Sequence, residues 1–291
     1  MNINPTLSYS NQEPEKSFLY MVGTPIGNLD DISLRAIKIL KKVSYIACED
    51  TRQTNKIMAK FELKNHLISF NKHNSFKRIP KIINDLKAGK SVALVSDAGL
   101  PSICDPGEDL VKNAISNGLN IICIPGPSAA LTALVASGMP ASRFVFEGFL
   151  PKKNIEREKI LLEISKNIKT TVLFESPHRL KKLLIELRDF CGDSRKISIG
   201  RELTKKYEQH VGDNIKEAIS YFKQNEPIGE FTIVIAGNEK SQSYQKESLD
   251  MIKRDLSDLI DAGLSHSAAT NYLAKKNNQP KNKIYNLIRK D

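Results

Sequence analysis

The sequence predicts two α/β domains followed by a small helical one. Three observations predict it. Short apolar or β-branched runs alternate with amphipathic stretches from Phe18 to about residue 141, and the same rhythm resumes after Phe144. A polar stretch at 239–247 then sets off a tail that reads as three short helices. With 291 residues the chain has room for two apolar cores and an appendage. The expected division is a disordered leader at 1–17, α/β domains at 18–145 and 146–238, and a helical domain at 246–291.

"SFLYMV" has strand character, and "ISLRAIKILKKV" places Ile32, Ala36, Ile39, Leu40 and Val43 on one helical face. "SYIACED" is the next strand, "RIPKIINDLKAGK" a helix ending near Gly89, "SVALVSD" a strand, "GEDLVKNAISNG" a helix and "LNIICIPG" a strand. "PSAALTALVASG" starts a helix at Pro127, whose ring suits a first turn. Strands separated by helices imply a parallel sheet. In "FVFEGFLPKKN" an apolar strand closes in Gly-Phe-Leu-Pro before a basic segment, which marks the linker. Beyond it, helices "IEREKILLEISKN" and "HRLKKLLIELRDF" alternate with strands "TTVLFES" and "KISIGREL". A segment "YEQHVGDNIKEAISYF" leads to the last strand, "EFTIVIAGN". In the tail, "SHSAATNYLAKKNN" followed by "PKNKIYNLIRK" has a helix-turn-helix layout, with six Lys or Arg against one Asp from Lys275 onward.

Composition narrows the class. The chain is 40% hydrophobic and 26% charged, as expected for a globular protein, and its apolar runs fall short of the roughly 20 residues of a membrane span. The polar N-terminus lacks the cationic-then-apolar order of a secretory signal. Cys48, Cys104, Cys123 and Cys191 show neither CxxC spacing nor a neighbouring His, which argues against disulfides and a zinc site. A cytoplasmic protein with reduced thiols and no metal is the expectation. Its net charge of +11 points toward a polyanionic partner, nucleic acid first.

Four stretches could carry chemistry. In "VGTPIGNLDDIS" the glycines are spaced G-x-x-x-G, and Pro25 stands where a dinucleotide fingerprint needs its second glycine. Pro offers no N–H to an anion, so a pyrophosphate cradle is disfavoured even though Glu49 and Asp50 end the next strand, where a ribose-binding acid would sit. The acidic pair Asp30 and Asp31 is expected at the N-terminus of the following helix. "SDAGLPSICDPGEDLV" begins at the carboxyl end of a strand, the ligand-binding edge of α/β sheets. "IPGPSAALTAL" offers small residues either to a flat ligand or to close packing. "FESPHRL" and "GRELTKKYEQ" bring charged groups to strand ends in the second half.

Eight motifs in order, "VGTPIGNLDDIS", "ACEDTRQT", "SDAGLPSICDPG", "IPGPSAALTAL", "FEGFLP", "FESPHR", "GRELTKKYE" and "GEFTIVIAG", resemble the tetrapyrrole-methylase superfamily, and within it the members that methylate a cytidine ribose of 16S rRNA. The resemblance implies two α/β domains of the tetrapyrrole-methylase type with the cofactor cleft between them, plus a small C-terminal helical domain. It implies S-adenosyl-L-methionine as cofactor, 16S rRNA in the small ribosomal subunit as substrate, 2'-O-methylation of a decoding-centre cytidine, and a homodimer. Cofactor contacts carried over by motif are Asp97, Leu100, Pro101, Ser128, Ala129, Phe174 and Thr232, with Leu150 at the domain junction.

In-line transfer needs an aligned ribose hydroxyl and a late proton acceptor. Candidates for that acceptor are Glu175, Glu202 and His178, with Asp50 to hold or deprotonate substrate. Arg52, Arg179, Arg201 and Lys205 would neutralise phosphates, Tyr207 or Phe149 would stack a base, and Pro25 and Asn28 would flank the substrate side. The alternatives are a methylase of a small, tetrapyrrole-like molecule and a non-catalytic RNA-binding protein.

Overall fold

The computed structural model describes residues 14–238, 251–276 and 281–285. Most of the expected leader, the 239–247 stretch and the break at 277–280 lie outside the described residues.

The first sheet is wholly parallel, in the order β3-β2-β4-β1-β5. Its strands are β1 (Phe18–Val22), β2 (Tyr45–Cys48), β3 (Leu67–Ser69), β4 (Val92–Val95) and β5 (Asn120–Ile124). Between them run α1 (Leu34–Lys42), α2 (Thr51–Lys60), α3 (Ser75–Lys87) and α4 (Glu108–Ser116). β1, β2 and β4 are buried along their whole length, as parallel strands covered on both faces must be. α1 buries Ala36, Ile39 and Leu40 on the expected face, each large side chain contributing about 1.5–3 kcal/mol. Its cap is Ser33, whose hydroxyl accepts from Ala36 N–H. Asp30 and Asp31 sit one turn earlier, in a short 3-10 turn capped by Asn28, so they do not begin α1. α2 and β3 had no counterpart in the sequence reading.

The second sheet is mixed, in the order β6-β7-β10-β8-β9. Its strands are β6 (Phe144–Phe149), β7 (Thr170–Glu175), β8 (Ile197–Arg201), β9 (Gln209–Val211) and β10 (Phe231–Ile235). α6 (Asn154–Lys166), α7 (Pro177–Cys191) and α8 (Ile215–Gln224) share one apolar core with the inner face of this sheet. Because β6 pairs with β7 from Phe144 onward, a boundary at 145/146 would cut through the strand. The chain leaves the first sheet earlier, at 125–128, between β5 and the helix that follows it.

α5 (Ala129–Ala136) explains the crossing. Ser128 precedes it as N-cap, so the helix starts two residues after Pro127. Although it follows β5, it packs Ala130, Ala133 and Leu134 against Val172, Leu203 and Val234 of the second half. Its small side chains let helix and sheet approach closely.

The tail holds helices α9 (251–261), α10 (His266–Lys276) and α11 (Lys281–Tyr285) around Ile252, Leu256, Ala269, Leu273 and Ile284. No helix among the described residues is long and apolar enough to cross a membrane.

Candidate active site between the two sheets

The opening loop bolts the two halves together. Gly23 N–H donates to the Ile124 carbonyl, and Thr24 exchanges backbone hydrogen bonds with Gly99, so the ends of β1, β4 and β5 converge. A Cβ on Gly23 would lie 2.7 Å from Gly126 Cα, a distance only glycine permits. At the far end of the loop, Asn28 N–H donates to Thr204 Oγ1 across the halves at 3.0 Å. Pro25 is buried inside this turn.

Beneath the loop lies a cavity of about 430 Å³, within the range of small-molecule sites. The first sheet supplies Glu49 after β2, Asp97 to Leu100 and Ile103 to Asp105 after β4, and Ser128 and Ala129 at α5. The second sheet supplies Phe149, Phe174 to Pro177, Leu203 and Gly229 to Thr232. The first set lies beyond the carboxyl ends of parallel strands, the edge at which α/β sheets hold ligands, and the second lies at the ends of β6, β7 and β8 and at the start of antiparallel β10.

Of the expected cofactor positions, Asp97, Leu100, Ser128, Ala129, Phe174 and Thr232 line this cavity. Pro101 and Leu150 are buried behind it, and the Leu150 carbonyl accepts from Arg179. Sequence reasoning missed Asp105, Ile26 and Glu230, and it set Glu49 aside with the failed glycine pattern. A strand-end position for Glu49 was the available signal.

Five acidic residues line the cavity, and three of them, Glu49, Asp97 and Asp105, have raised carboxyls. Burial pushes Glu49 up from the ordinary carboxylate range, and the neighbouring charges of Asp105 and Asp97 add to it. Burial likewise raises Asp105, against the pull of Lys72. Asp97 is raised by burial although its hydrogen bond from Asp50 N–H works the other way. Clustered acids with raised values in a cleft mark a functional site and favour a cationic ligand.

The expected bases are placed differently. Glu175 has a side chain 0% exposed; its Oε1 accepts from Arg179 Nε at 2.7 Å and Ser176 N–H at 2.8 Å, and Arg157 lies 3.6 Å from Oε2. That enclosure holds a carboxylate in place and keeps it from a substrate proton. Glu202 accepts from Lys205 Nζ and Glu230 N–H; partial burial raises its pKa, but these two partners outweigh it and leave the group below the usual range. Its backbone is left-handed, with φ 52°. His178 is exposed at the start of α7 and is not among the cavity-lining residues. Asp50 caps α2 through Arg52 N–H and pairs with the Arg52 guanidinium at 2.6 Å, which lies in open solvent.

The expected phosphate ligands turn mostly inward. Arg179 binds Glu175 and the Leu150 carbonyl, Arg201 binds the Ile228 carbonyl and Gln209, and Lys205 bridges Glu202 and Glu230. Tyr207 is exposed, with Lys206 5.5 Å from its ring centre. No group of three or more metal-binding side chains occurs among the described residues.

The cleft lies between a parallel and a mixed sheet and draws its lining from both. A family model described as Tetrapyrrole (Corrin/Porphyrin) Methylases matches residues 18–219, and the chain belongs to that family. Its members use S-adenosyl-L-methionine. Among curated proteins, the chain is 42% identical over 271 residues to "Ribosomal RNA small subunit methyltransferase I" of Synechocystis sp., covering 92% of this chain and 96% of that one. The same-named protein of Thermotoga maritima is 46% identical over 222 residues, 76% of this chain and 99% of its own length. The Bacillus subtilis protein of that name is 40% identical over 278 residues, 94% and 95% of the two chains. A solved cobalt precorrin-4 methyltransferase superposes with TM-score 0.59 at 16% identity, covering 76% of this chain and 95% of its own. That likeness extends to the fold alone.

The cavity suits the cofactor. Apolar walls from Leu100, Ile103, Phe149 and Phe174 fit an adenosyl group, and the three carboxyls suit a sulfonium and an ammonium. Glu175 Oε2 makes no hydrogen bond among the described residues; it lies 3.6 Å from Arg157, on the sealed side of the wall.

Proposed function

We propose that this protein methylates the ribose 2'-oxygen of a cytidine in 16S rRNA, in the decoding region of the small ribosomal subunit. The observation that carries the reading is the coincidence of six motif-derived cofactor positions in one cavity, in a chain similar over most of its length to proteins named for small-subunit rRNA methylation. Net charge of +11 favours the same class of substrate over a tetrapyrrole.

Bound S-adenosyl-L-methionine supplies an electrophilic methyl group. The chain's own part is to hold donor and acceptor in line and exclude water. Leu100, Ser128, Ala129, Phe174 and Thr232 form the adenosyl walls, while Asp97 and Asp105 offset the cofactor's positive charge. Glu49, whose carboxyl is raised toward the working range of a general base, accepts the proton from the ribose hydroxyl. Glu175 becomes a positioning residue that fixes the end of β7, and Glu202 fixes the turn beside Gly229. Tyr207 remains the stacking candidate and Arg52 the outlying phosphate ligand. A homodimer and a cytoplasmic setting complete the reading.

The test is transfer of labelled methyl to purified 30S subunits, followed by nucleoside analysis. Incorporation as 2'-O-methylcytidine at one site is expected, with Glu49→Gln lowering kcat at saturating cofactor by about 10²-fold or more. Base-methylated product, or label on a tetrapyrrole instead of rRNA, overturns it.

A further inference from the structure

The segment between β3 and α3 was not assigned a role by its motifs, and it has an unusual make-up. From Glu62 to Asp85 the chain has no intervening acid but carries five Lys or Arg: Lys64, Lys72, Lys77, Arg78 and Lys81. Within it Phe76 is 87% exposed, more than any other large apolar side chain among the described residues.

Phe76 is not a stray surface residue. It stands three positions before Ile79, in phase with the buried stripe Ile79, Ile83 and Leu86 of α3. The stripe should bury it. The first turn of α3 follows the carboxyl end of β3, and there the ring stands in solvent while Ile79, one turn on, is buried.

The turn that leads into α3 is held by hydrogen bonds. Asn71 Oδ1 accepts from His73 and Asn74 N–H, and Asn74 Nδ2 donates to the Ser69 carbonyl and hydroxyl. Lys72 Nζ lies 3.4 Å from the Cys104 carbonyl, and Cys104 lines the cavity. A rigid, basic turn bearing an open aromatic ring therefore borders the candidate active site.

We propose that residues 71–78 form a platform for single-stranded RNA beside the active site, Phe76 stacking on a base near the target nucleotide and Lys77 and Arg78 meeting phosphates. Aromatic rings interleaved with cations are what unpaired RNA recognises, since every base has a face to stack and every linkage a charge. This inference rests on the RNA reading above.

The test uses the full chain with 30S subunits. Phe76→Ala should raise KM for RNA about tenfold or more while kcat, cofactor affinity and thermal midpoint stay at wild-type values. Phe76→Trp should restore KM and Phe76→Leu should not. Lys77→Gln with Arg78→Gln should flatten the dependence of log affinity on log salt by about 0.7 per lost phosphate contact. If the wild type methylates rRNA and Phe76→Ala leaves KM unchanged, or Leu restores it as well as Trp, the platform is refuted while the RNA reading stands. If the wild type transfers no methyl to rRNA, both fall together.

Discussion

Glu175 illustrates how a sequence can locate a residue yet mislead about its task. The motif "FESPHR" placed a glutamate at a strand end, and it does reach the cavity wall. Its partner Arg157, 29 residues from Glu186 in the chain and 2.8 Å from it in space, could not be paired from sequence, because the contact depends on how α6 packs on α7. Glu175 is sealed from solvent between two arginines; without it Arg157 keeps Glu186, while Arg179 and the Ser176 N–H lose their acceptor. Glu175→Ala is expected to cost about 1–3 kcal/mol in urea denaturation, with Glu175→Gln milder. A second residue-scale consequence concerns pH. The carboxyls of Glu49, Asp97 and Asp105 are raised on folding, so the stability they contribute is complete below the ordinary carboxylate range and is lost as pH rises through their raised values. Affinity for a cationic cofactor runs the opposite way, rising through the same window as the groups ionise. Calorimetry at a pH just above the ordinary carboxylate range, in two buffers of different ionisation heat, should detect proton release on cofactor binding. Glu49→Gln should diminish it; affinity independent of pH would refute the assignment.

At the scale of elements, strands and amphipathic helices were legible wherever periodicity was clear, as for α1 and β4. β3 was missed because three residues of middling burial carry too little pattern. α5 was foreseen as a helix, but not that it would cross to the other sheet, since an apolar helix with small side chains fits either neighbour. The crossing leaves its outer face unmatched: Leu131 is 50% exposed and Val135 78%. A helix apolar on all sides is normally enclosed, so this face is the natural seat of the proposed homodimer. Leu131→Asp with Val135→Asp should shift the protein from dimer to monomer in light scattering while leaving its helix content unchanged; a persisting dimer would place the interface elsewhere.

For the whole molecule, the fold class could be read from the order of strands and helices, because that order reports which elements can be neighbours. The meeting of the sheets could not. It depends on single contacts between residues far apart in the chain, such as Asn28 with Thr204 and Cys104 with Gly148, and no local pattern announces them. The loop that first suggests a phosphate cradle is one such contact, a bolt between halves. The cavity it helps close draws its walls from both sheets, and neither half alone makes a complete pocket. Cofactor occupancy is therefore thermodynamically linked to the docking of the halves: each increment of binding free energy also resists their separation. A donor molecule consumed at every turnover thus serves, while it is bound, as a removable brace for the protein that spends it.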